Sequence, residues 1–135
     1  SMTFAAGPRG YFTMMGITPR EAAIELRKAG ADVVGSNCGN GIEAMTEIAY
    51  QMRQATDAPI IINSNAGIPS ILKGLIVYPE TPEIMANYMP KLGKLGINII
   101  GGCCGTTPSH IKKFSESIMK PSENEDLKER RSNST

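Results

Sequence analysis

The chain has 135 residues, 41% of them hydrophobic and 20% charged, with a formal net charge of +1. That length suits one domain of ordinary size, and the charge balance gives no electrostatic case for nucleic acid. No apolar run approaches the roughly 18 residues that span a bilayer, so no membrane partner is expected either.

In chain order, Met2-Thr3-Phe4-Ala5 reads as a short strand and Gly7-Pro8-Arg9-Gly10 as a turn that meets neither phosphate-loop pattern. Thr18-Pro19-Arg20-Glu21 is a capping box with proline at the first helical position. Ala22, Ala23, Leu26 and Ala29 continue it as an apolar stripe, and Gly30 is a natural stop. Residues 31–37 form a second strand, a nearly continuous apolar run of the kind parallel sheets bury on both faces. Cys38 follows it, then the loop Gly39-Asn40-Gly41. Ile42, Met45, Ile48, Ala49 and Met52 recur at helical spacing, the methionines reading as core filling. Residues 59–63 make the third strand, and Ser64-Asn65-Ala66-Gly67-Ile68-Pro69 opens a long loop. Thr81-Pro82-Glu83 starts another helix, which Pro90 should kink or end early. Ile97-Asn98-Ile99-Ile100 is the fourth strand. Gly101-Gly102-Cys103-Cys104-Gly105-Thr106-Thr107-Pro108 leads from it into a helix reaching about Met119. From Lys120 the chain has almost nothing to bury, and residues 120–135 read as a disordered tail or linker.

Strand then helix, with Gly-, Asn-, Ser- and Cys-rich loops after the strands, is the pattern of a parallel sheet with crossover helices. In such sheets chemistry collects at the carboxyl ends of the strands, where all three cysteines stand. An odd thiol count and no recognisable leader point to metal binding or catalysis in a reducing compartment, expected to be the cytoplasm. Consecutive strands placed side by side would set the Asn65 loop between the Cys38 loop and the Cys103-Cys104 loop. One zinc ion could bridge the gap, and three thiolates with a free fourth position suit a catalytic rather than a sealed structural zinc. Three ordinary buried thiols are the bland alternative. A redox pair at Cys103-Cys104 is the other, disfavoured by the strained ring that adjacent cysteines close. His110 reads as a surface or capping residue.

Gly35-Ser36-Asn37-Cys38-Gly39, Asn65-Ala66-Gly67-Ile68-Pro69 and the double-cysteine motif resemble, in order and spacing, the homocysteine-binding domain of the homocysteine S-methyltransferases. That family includes cobalamin-dependent methionine synthase and the betaine–homocysteine methyltransferases. The resemblance implies an α/β fold, the C-terminal half of a (β/α)8 TIM barrel in four parallel strand–helix units, over residues 1–119. It also implies Zn²⁺ held by Cys38, Cys103 and Cys104, and methyl transfer to the homocysteine thiol to give methionine. Asn65 and Gly102 become candidates for substrate-binding or supporting positions beside the metal. The donor would be a small molecule, or a methylcorrinoid on a partner domain. The family's barrel needs about twice this length, so the expected partner is the missing N-terminal half-barrel or a second copy of the chain. The isolated chain is expected to be inactive. The rival reading is a non-catalytic zinc-binding half-barrel that serves only assembly.

Overall fold

The computed structural model describes residues 1–119, and the tail expected from Lys120 onward lies outside them. At the amino end, the turn at Gly7 to Gly10 closes a hairpin. Its strands β1 (Ala5–Gly7) and β2 (Gly10–Phe12) run antiparallel, with Ala5 opposite Phe12. The hairpin draws the chain away from the parallel sheet directly after Phe4. The strand expected at residues 2–5 is therefore reduced to one parallel bridge between Met2 and Ser36. Met2 N–H donates to the Gly35 carbonyl at 3.0 Å, and Asn37 N–H donates to the Met2 carbonyl at 3.2 Å. Four complete parallel strands are thus corrected to three and a bridge.

Helix α1 (Pro19–Lys28) begins as expected. Glu21 N–H donates to Thr18 Oγ1 at 3.2 Å, and Thr18 N–H donates to Glu21 Oε2 at 2.8 Å. The bond from the Thr18 backbone, helped by its hydroxyl, holds the Glu21 carboxyl below its ordinary value. A depressed carboxyl stabilises the helix start above its unfolded-state pKa, and that contribution is lost as pH falls through the folded value. Ala22 and Ala23 are buried, and Gly30, at φ +99°, ends the turn.

The parallel unit follows: β3 (Val34–Asn37), α2 (Ile42–Ala55), then β4 (Ile60–Ser64). Met45, Ile48 and Met52 of α2 are fully buried, in one core with Phe4, Val34, Ile60 and Ile62. The long loop after β4 holds a hairpin the sequence reading did not anticipate, β5 (Ser70–Leu72) paired with β6 (Leu75–Val77). Lys73 and Gly74 between them have φ of +49° and +77°, the positive pair a tight two-residue hairpin turn requires. Helices α3 (Pro82–Ala86) and α4 (Met89–Lys94) are the single expected helix broken in two. Pro90 has no N–H to offer the carbonyl four residues back, and Ser117 Oγ donates to that Ala86 carbonyl instead, at 3.1 Å. Strand β7 (Ile99–Gly102) and helix α5 (Pro108–Met119) complete the described chain.

The sheet runs β3-β4-β7, all parallel, with Asn37 opposite Asn63 and Asn63 opposite Gly101. Along β4 the side chains alternate: Ile60, Ile62 and Ser64 are buried, while Ile61 and Asn63 are only half-buried. Ile99 is 45% exposed. In β3, Val34, Gly35 and Ser36 are all buried, as the apolar run of residues 31–37 leads one to expect, whereas one face of β4 is only half-buried. Helices α1, α2 and α5 pack against the sheet, while Ile61, Asn63 and Ile99 remain only partly covered.

Candidate metal centre

The loops at the carboxyl ends of β3 and β7 carry the three cysteines, and the loop after β4 carries Asn65. Cys38 follows β3 in the left-handed region at φ +57°, with Gly39 at +76° beside it. A non-glycine residue there costs on the order of 1–2 kcal/mol, so tertiary bonds must hold it. Cys38 N–H donates to the Asn63 carbonyl at 3.1 Å, and Asn40 N–H donates to the Cys38 carbonyl at 2.9 Å. Asn40, only 4% exposed, sends its Nδ2 to the Phe4 carbonyl at 2.6 Å. Removing that amide leaves a buried carbonyl unpaired. Asn40→Ala should destabilise the fold by about 1–3 kcal/mol, measured by denaturant unfolding; an unchanged midpoint would remove Asn40 from this role.

On the other side of β4, Cys103 N–H donates to the Ser64 carbonyl at 2.8 Å, and Ala66 N–H donates to the Cys104 carbonyl at 2.9 Å. Asn65 Oδ1 accepts from Cys104 N–H at 3.1 Å, which makes this side chain a backbone anchor of the double-cysteine turn. Gly102 leaves room for Thr106, whose side chain occupies the space a Cβ there would need. Thr106 Oγ1 in turn donates to the Cys103 carbonyl at 2.7 Å. The last carbonyls of β4 thus pin both thiol-bearing loops from the middle of the sheet.

The result is a tight group. Cys38 Sγ lies 3.8 Å from Cys104 Sγ, Cys103 Sγ lies 4.0 Å from Cys104 Sγ, and all three sulfurs fall within 4.8 Å of one another. Sulfurs about 2.3 Å from a tetrahedral ion stand about 3.8 Å apart, so the spacing fits one zinc-sized ion with little movement. Soft, partly exposed sulfur donors also suit zinc better than magnesium or calcium. All three thiols are free. The neighbouring Cys103 thiol holds the Cys38 thiol below its ordinary value. The proximity of Cys38, with burial, pushes Cys103 up to about 11.

His110 departs from its expected surface position. It is 6% exposed, and Nδ1 accepts from Thr107 N–H at 3.1 Å. That acceptor role assigns the ring proton to Nε2, which donates to the Glu80 carbonyl at 2.9 Å. The capping half of the expectation holds, since His110 ties down the first turn of α5. Glu80, Tyr78 and Asn40 were not singled out in the sequence, because each acts through contacts between residues distant in the chain. Thr106 acts on Cys103, three residues away, and was read only as part of the double-cysteine motif. Among the described residues, no helix is long and apolar enough to cross a membrane.

The chain is thus a parallel α/β protein with three free thiols gathered at its strand ends. The chain belongs to the homocysteine S-methyltransferase family, whose profile matches residues 1–118. It is 31% identical over 100 residues to a methionine synthase of Mycobacterium leprae (strain TN), covering 73% of this chain and 8% of that protein. It is 31% identical over 137 residues to the S-methylmethionine–homocysteine S-methyltransferase BHMT2 of Mus musculus, covering 87% of this chain and 37% of that one. Its fold is similar to that of the homocysteine methyltransferase MmuM from Escherichia coli. The apo form superposes with a TM-score of 0.61 at 23% identity, covering 85% of this chain and 39% of that one. A metallated form of the same protein gives a TM-score of 0.60, also at 23% identity, covering 84% of this chain and 34% of that one. The chain thus spans well under half the length of these relatives.

Proposed function

We propose that residues 1–119 are the metal-binding part of a homocysteine S-methyltransferase domain, carrying half of a barrel. The convergence of three sulfurs within 4.8 Å carries this reading, and membership of the family supplies the substrate class. Cys38, Cys103 and Cys104 would hold Zn²⁺ and leave one tetrahedral position for the substrate sulfur. Zinc, when bound there, supplies the charge that favours a thiolate at neutral pH, where a free thiol with pKa near 8.5 is mostly protonated. The chain's own residues do the rest. The three thiolates carry a surplus of negative charge over a divalent ion and so keep an incoming sulfur electron-rich. Asn65 fixes the Cys104 backbone, and Gly102 admits Thr106, which fixes Cys103. In this reading the amino-acid end of homocysteine is held by further polypeptide, either a complementary barrel half or a second copy of the chain. The donor is a small methylated molecule or a methylcorrinoid on a partner domain. A reducing compartment such as the cytoplasm would keep the thiols available.

Complementation tests this. The zinc-loaded chain alone should form little or no methionine, and calorimetry should show weak homocysteine binding or none, because the groups that orient the substrate are missing. Adding the N-terminal part of the murine relative, with S-methylmethionine as donor, should produce methionine formation that Cys38→Ala abolishes. Sub-micromolar homocysteine binding by the chain alone would show that it has its own carboxylate site and would overturn the division of labour. Methionine formation that survives Cys38→Ala would overturn the metal reading.

A further inference from the structure

The segment joining β6 to α3 crosses the carboxyl ends of all three strands and touches a glycine in each loop that matters. The Tyr78 ring lies against Gly105, the residue after the double cysteine, where a Cβ would fall inside the ring. Pro79 lies over Gly67, two residues after Asn65, where a Cβ would come 2.7 Å from Pro79 Cγ and 3.1 Å from Glu80 Cγ. The Glu80 carboxylate sits on Gly41, three residues after Cys38, in the space a side chain there would need. Three consecutive residues thus rest on three glycines, one from each loop.

Glu80 also carries the polar bonds. Its carboxylate accepts from Ile42 N–H at 3.0 Å through Oε2, at the start of α2, where the N-cap Gly41 has no side chain to offer. Its N–H donates to the Ala66 carbonyl at 2.9 Å, and its carbonyl accepts from His110 Nε2 at 2.9 Å. Ala66 in turn holds the Cys104 carbonyl at 2.9 Å. One residue is therefore bonded to the helix after Cys38, to the Asn65 loop, and to the helix after Cys103 and Cys104.

We propose that Tyr78-Pro79-Glu80 is a strap that sets the spacing of the three thiols, with Glu80 as a positioning residue for the metal centre. The strap is needed because Cys38 and Cys103 lie on strands that are not neighbours, and Cys38 is held in an unfavourable left-handed conformation. Sheet hydrogen bonds alone do not determine how far the loops beyond them lean together. The inference rests on the metal reading above, and two probes separate the two. Cobalt(II) reports the metal centre through its thiolate-to-metal absorption, and phenylarsine oxide reports the closeness of two thiols without any metal.

Glu80→Ala should lower cobalt affinity about tenfold or more and weaken the charge-transfer band per bound ion, as loss of a supporting contact does at metal sites. Glu80→Gln keeps an oxygen acceptor for Ile42 N–H and should stay within about threefold of the parent. Phenylarsine oxide capture should weaken in the same order. Should circular dichroism show that Glu80→Ala does not fold, Tyr78→Ala carries the same test, since it removes the ring over Gly105 and leaves Glu80 in place. Parent-like cobalt spectra and arsenical capture in a folded strap variant would overturn the proposal, as would a Gln variant as impaired as Ala. A parent chain that captures the arsenical but binds no cobalt would sink the metal reading alone, and the arsenical series would then decide the strap.

Discussion

Zinc should copurify at about one ion per chain, and the double variant Cys103→Ala, Cys104→Ala should retain under about a tenth of it. The expectation follows from donor count. The three sulfurs lie within 4.8 Å of one another, and among the described residues no other such cluster of metal-ligating side chains is present. Removing two leaves Cys38 as a single, partly exposed thiol, which cannot hold a tetrahedral ion against water. Affinity in the parent should fall as pH is lowered, because each thiol must lose its proton to bind. Metal analysis of protein prepared without chelator is the measurement. Full zinc retention in the double variant would end the assignment of these thiols as ligands.

Self-association should be visible at micromolar concentration, with a weight-average mass above the 14.5 kDa of one chain in sedimentation equilibrium. The β5–β6 hairpin presents Ile71 and Ile76 on one face and Leu72 and Leu75 on the other, all between 61% and 79% exposed. A two-stranded hairpin is marginal in water, and one apolar on both faces is driven to find cover. Ile99, 45% exposed, adds to that drive, and among the described residues no further strand pairs with the outer edge of β7. Ile71→Lys combined with Ile76→Glu should weaken association about tenfold or more by placing charge where apolar surface would be buried. A monodisperse single-chain species that unfolds cooperatively would contradict this and, with it, the proposal that the chain needs a second half.

Local chemistry was legible in the linear order wherever neighbours in sequence are also neighbours in space. The capping box at Thr18 and Glu21, the buried stripe of α2, the break at Pro90 and the three parallel strands all follow from spacing of a few residues. The double-cysteine motif and the Asn65 loop pointed to the family through their resemblance to its motifs, and consecutive parallel strands placed the thiol-bearing loops on either side of the Asn65 loop. Contacts between distant residues decided the remainder. The first strand shrank to one bridge because the hairpin at Gly7 to Gly10 competes for the same backbone, and no local propensity weighs those outcomes. The hairpin at Lys73 and Gly74 was missed because its turn requires positive φ at a lysine, which residue type alone does not announce. Glu80 showed no local signal, since its carboxylate is bonded 38 residues away, and for His110 only the capping bond to Thr107 is local, its partner Glu80 lying 30 residues away. Which atoms could bind a metal, and at which strand ends they stand, was readable from residue order. Only the tertiary structure decided how closely they meet, because a left-handed turn at Cys38, the carbonyls of β4 and the strap at Glu80 have to act on them together.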